Sequence, residues 1–210
     1  MNPFARVLRV LQQTLGRLDP RIRPKTRANE VASLRLRLLS ETTPDQASPR
    51  EVELARALRS MRERMLTLIG EVEACRSCGK GYPLPNGRWD GGYCCGGTTE
   101  NLFKQEEIAC LRSSGTQPGD LRPPRGDHAG CSFRGRFGCS LDPAHRPNLC
   151  VRYACRMLSE EYERRGIATE VRSLASEMQR TFGEFQALRS KRLEDESLAR
   201  FESTSATGRR

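Results

Sequence analysis

"SPREVELARALRSMRERMLTLIGEVEAC", Ser48 to Cys75, opens with a strong helix-start signal. Ser48 is placed to cap the helix, Pro49 falls in the first turn, and Glu51 can complete a capping box. Leu54, Leu58, Met61, Met65, Leu68 and Val72 then recur at alternating spacings of four and three. That is a heptad seam, and its next position is Cys75. The pattern predicts a long helix over 48–74 that delivers a cysteine at its end.

A matching seam lies near the other end of the chain. Val171, Leu174, Met178, Phe185 and Leu188 keep the same spacing, with Thr181 as the weak position, in a helix expected from about Thr169 to the mid-190s. The simplest assembly packs the two seams as a long antiparallel helical pair. The rival is a seam between two chains, so the expected state is a monomer or a helix-mediated dimer. Between the seams, "NLFKQEEIACLRSS" reads as one short helix carrying Cys110, "SSGTQPGDLRPPRGD" as a surface loop, and "CVRYACRMLSEEYERR" as a helix ending at Gly166. Upstream, residues 3–18 are amphipathic through Phe4, Val7, Leu8, Leu11, Leu15 and Leu18. Pro20 and Pro24 break that helix, and a second short one runs from Asn29 to Leu39.

The fold class is therefore mainly α, with a small irregular Cys-rich metal-binding domain bracketed by the helical pair. The divisions are a basic helical arm (1–47), a long helix (48–74), the cysteine domain (75–155), C-terminal helices (156–197) and a disordered tail (198–210).

Composition says why the middle needs help. The 81 residues from Cys75 to Cys155 include only 19 Ala, Val, Ile, Leu, Met, Phe, Trp or Tyr. Disulfides or metal are the usual substitutes for so small a core. A secretory signal needs an apolar run of about 7–15 residues. Arg6, Arg9 and Arg17 interrupt every such run near the N-terminus, and nothing approaches the roughly 18 apolar residues of a membrane span. A reducing cytosol is the expected compartment, and there clustered cysteines favour metal over disulfides. The count of nine cysteines is also odd.

The net charge is +10, and residues 1–40 hold nine basic and two acidic side chains. That arm could meet nucleic acid, an acidic protein or an anionic membrane surface, or be only a solvated basic helix pair.

Cysteine spacing is the informative part. Cys75 and Cys78 form C-x2-C, where a tight turn can aim both thiolates at one ion. Thiolates suit zinc and iron–sulfur clusters and disfavour hard ions. Cys94 and Cys95 are adjacent inside "GRWDGGYCCGGTT". Successive extended side chains diverge, so the two serve two metals, or one binds while the other packs or bridges. The glycines beside them allow positive φ and bring backbone amides close to sulfur. Cys131 and Cys139 frame "SFRGRFG", and Cys150 and Cys155 close the series.

"CRSC", "YCC", "GCSFRGRFGC" and above all "HRPNLCVRYAC" together resemble the YkgJ-type cysteine-cluster family, also called the CxxCxxCC domain. The resemblance covers about residues 75–155. It implies a bacterial protein that chelates zinc or iron, with the flagellin lysine N-methylases as relatives. Carried over residue by residue, it implies Cys75, Cys78, Cys94, Cys95, Cys131, Cys139, Cys150 and Cys155 as metal ligands. The chain departs from the family pattern in the fifteen residues between Cys78 and Cys94, and in Val151, which displaces the expected arginine to Arg152.

Three functions are open. The first is a zinc, iron or iron–sulfur module with a structural, redox or metal-handling role. The second is a cluster-dependent protein-modifying enzyme like the methylases. The third is a zinc-stapled nucleic-acid binder using residues 1–40; a protein partner is also compatible. Cys110 is better read as a small buried hydrophobe than as a ligand. His145 and His128 read as hydrogen-bonding loop histidines, and Arg146 as a residue that bonds nearby carbonyls before Cys150.

Overall fold

The computed structural model describes residues 26–72, 99–125, 131–135 and 138–207, with side chains to residue 201 in the last stretch. Among them the chain is mainly helical. Thr26 accepts a hydrogen bond from the Asn29 N–H at 3.2 Å and starts α1, Arg27–Ser40, which buries Val31, Leu34 and Leu38. The capping box at Ser48 forms as the sequence predicts: Glu51 N–H donates to Ser48 Oγ at 3.2 Å, and Ser48 N–H donates to Glu51 Oε2 at 2.7 Å. It starts α2, Pro49–Ile69.

Two short helices follow, α3 at Thr99–Leu102 and α4 at Gln105–Ser113. A two-stranded antiparallel hairpin pairs β1, Arg134–Gly135, with β2, Gly138–Cys139. Then come α5 at Asn148–Arg152, α6 at Arg156–Arg164 and α7 at Ala168–Thr207. None of the helices among the described residues is long and apolar enough to cross a membrane.

The apolar side chains gather into two clusters. The first lines α2 and α7, with Leu58, Met65, Leu174, Met178 and Phe185 at its centre, and takes in Ala109, Cys110, Val151 and Tyr162. The start of α2 meets the middle of α7: Arg192 bonds Glu51 at 2.8 Å and Arg50 bonds Glu184 at 2.7 Å. Just past its far end, the Glu71 carbonyl accepts a bond at 3.5 Å from Arg165, which lies between α6 and α7. The second cluster joins α1 to Phe103, Ile108, Leu121, Phe133 and Leu141. Phe103 and Phe133 rings tilt together there at 5.3 Å between centroids.

Several expectations need correction. The α2 helix stops at Ile69 rather than running through 74, because Gly70 takes φ 61 and ends it. Cys75, expected at its end, lies outside the described residues. The buried stripe of α2 keeps the expected Leu54, Leu58 and Met65 and adds Glu51, Ala55, Arg62 and Ile69, while the expected Met61, Leu68 and Val72 are only partly covered. In α7, Phe182 fills the weak step beside Thr181.

The helix expected over 101–114 breaks at Phe103, whose carbonyl takes a bond from Arg37 at 3.0 Å while its ring turns to Phe133. The helix expected over 150–165 breaks at Tyr153, where the backbone turns extended and Ala154 and Cys155 pack inward. The predicted surface loop 113–127 is tied down over its described part. Leu121 is 1% exposed and Thr116 is fully buried. The expected tail instead continues α7 to Thr207. No glycine or proline interrupts it between Gly183 and Gly208, and Glu196 pairs with both Arg192 and Arg200 one turn away.

Residues 27–40 are also no free arm. Arg27 donates to the Pro124 and Arg134 carbonyls at 2.9 and 3.1 Å, and Arg35 to the Leu121 carbonyl at 2.8 Å. These guanidiniums clamp backbone carbonyls. The helix expected over 3–18 lies outside the described residues.

Candidate metal centre

Four of the eight expected ligands, Cys75, Cys78, Cys94 and Cys95, lie outside the described residues, as does His128. The other four come from three places in the fold. Cys131 sits just before β1, where its carbonyl accepts the Arg134 N–H at 3.0 Å. Cys139 ends β2 directly across from Arg134. Cys150 lies in α5, its N–H bonded to the Pro147 carbonyl at 3.0 Å. Cys131 belongs to the second cluster, and Cys139 and Cys150 pack against it. Cys155 instead borders the first cluster and caps α6. Among the described residues no group of three or more His, Cys, Asp or Glu is close enough to hold a metal ion.

Three of the residues given quieter readings, Cys110, His145 and Arg146, are described. Cys110 is fully buried, and burial pushes its thiol up to about 11. Asn148 Nδ2 lies 3.7 Å from its sulfur. His145 shares a hydrogen bond of 3.0 Å with Thr116 Oγ1 and stands 3.8 Å from Asp120. Burial lowers its pKa, against the pull of Asp120. Arg146 Nε donates to the Leu141 carbonyl at 2.9 Å, bracing the loop that leads to Cys150.

Sequence reasoning missed the polar cluster beneath Cys150. Arg62 is fully buried on α2. It donates to Asn148 Oδ1 and to the Ala144 carbonyl, both at 2.9 Å. Glu107, on α4, accepts the Asn148 N–H at 2.8 Å, the Asn148 side-chain amide at 2.9 Å and the Leu149 N–H at 3.0 Å. Burial raises the Glu107 pKa, against these donors and the nearby Arg62 charge. One signal was present. The stripe from Glu51 through Ala55, Leu58, Arg62, Met65 and Ile69 also steps by four and three, and it carries two charges.

Comparison of the chain with protein-family models, with curated proteins and with solved structures finds no match.

Proposed function

We propose that this chain is a metal-binding module of the YkgJ type. Cys75, Cys78, Cys94, Cys95, Cys131, Cys139, Cys150 and Cys155 hold zinc or iron, the latter as an ion or an iron–sulfur cluster. In this reading the metal holds a small irregular Cys-rich unit against an antiparallel pair made by α2 and α7. Cys131, Cys139 and Cys150 are separated in sequence yet border one apolar cluster, and this carries the proposal. An all-cysteine donor set of soft thiolates fits zinc or iron, not magnesium or calcium.

The test is metal analysis and visible absorption of anaerobically purified protein. A brown protein means iron–sulfur, and a colourless one with stoichiometric zinc means a staple. Cys131→Ser and Cys150→Ser should each lose metal, whereas Cys110→Ser should keep it. Wild-type protein carrying and taking up neither metal sinks the reading, and equal loss at Cys110 shows the wrong eight.

A further inference from the structure

We propose that Arg62, Glu107 and Asn148 are positioning residues that fix Cys150 as a metal ligand. The inference rests on the thiolate reading of Cys150 given above. The α5 helix has five residues, Asn148–Arg152, too few to hold itself by its own backbone bonds. Its start is held from outside. The Glu107 carboxylate takes the first two N–H groups, of Asn148 and Leu149. The Asn148 side chain is gripped at both ends, its amide by Glu107 and its oxygen by Arg62. Arg62 also holds the Ala144 carbonyl in the preceding turn. Three bonds thus reach α5 from Glu107 on α4, and the bond from Arg62 adds α2.

All three side chains are buried, Arg62 and Asn148 completely and Glu107 to 5% exposure. Apolar side chains of similar volume would join these helices with less desolvation. They would not fix direction. Hydrogen bonds at set angles do, and a thiolate two residues past Asn148 needs a set direction, since outer partners orient metal ligands. Cys155 lies beyond the extended Tyr153 and outside this clamp.

The experiment measures zinc affinity by competition with a chelator in the full-length chain, together with hydrogen exchange of a peptide covering 148–152. Three proteins are compared: wild type, Glu107→Gln and Phe182→Ala. Glu107→Gln turns an amide N–H towards groups that are themselves donors. It should weaken zinc by about tenfold and speed exchange at 148–152. Phe182→Ala opens a cavity on α7 and bonds none of the three clamp residues. It should lower the thermal midpoint yet leave zinc affinity as in wild type. If Glu107→Gln does not fold, Arg62→Lys takes its place, because an ammonium cannot reproduce the fork that holds Asn148 and Ala144 together. Wild-type zinc affinity in the clamp variant overturns the proposal, as does an equal loss in Phe182→Ala. Wild-type protein that takes up no zinc or iron removes the thiolate reading itself, a separate and recognisable result.

Discussion

His145 carries the clearest pH dependence at the scale of single residues. Its ring is partly buried between Thr116 and Asp120, and burial lowers its pKa below the usual 6.5. The folded chain therefore binds this proton more weakly than the unfolded chain does. Its contribution to stability is complete above the unfolded value and is lost as pH falls from about 6.5 through the folded value. The thermal midpoint of wild type should drop between about pH 7 and pH 5.5, and that of His145→Gln should drop less. An identical slope in both proteins removes His145 as the cause. Its Thr116 partner could not be read from sequence, because the two residues meet only when the loop before α5 folds onto the end of α4. The same holds for Arg62. An arginine next to Met61 reads as solvent-facing until Asn148 and the Ala144 carbonyl are known to be its partners.

Glycine replacement should have opposite signs at two places in the helices. Gly70 ends α2 at φ 61 and ψ −150, a conformation that side chains strain. A Cβ there would meet only the Arg165 guanidinium at 3.8 Å, an ordinary contact, so the cost is conformational. Gly70→Ala should destabilise by about 1 kcal/mol or more. Gly183 lies inside α7, and a Cβ added there would meet nothing within 4 Å. Gly183→Ala should stabilise by about 0.5–1 kcal/mol, through helix propensity alone. Urea titration of both variants reads the two signs, and a shared sign defeats the argument. Local chemistry of this kind was the legible layer. Ser48, Pro49 and Glu51 fixed the start of α2, and the helix over 27–40 was visible within two residues at either end. The breaks at Phe103 and Tyr153 were not visible. Each depends on a partner far away in sequence: Arg37 and Phe133 for one, the first cluster for the other. The seam was right in period and shifted in part, since α2 is covered over a wider arc than a two-helix seam needs.

At the scale of the whole molecule, the metal reading proposed above predicts unequal dependence on metal for the two clusters. The first draws on α2 and α7, 21 and 40 residues long, and its central side chains are fully or almost fully buried. Cys155 only borders it. The second is assembled from α1, two short helices, an irregular loop and a hairpin of two residues per strand. Three of the proposed ligands belong to it or pack against it. Short elements of this sort gain little from their own backbone bonds, so a metal holding those thiols adds proportionately more to the second cluster. Stripping the metal with a chelator should therefore speed hydrogen exchange in 27–40 and 131–141 well before 171–185. Protease sites should open in the first two stretches, while helical circular dichroism falls only in part. Readdition of zinc or iron should restore protection to both stretches together, because they share one cluster. A uniform loss over all three stretches would mean that the two clusters unfold as one unit. Unchanged exchange at 27–40 and 131–141 would mean that packing alone holds the second cluster, and the structural role proposed for the metal would fall.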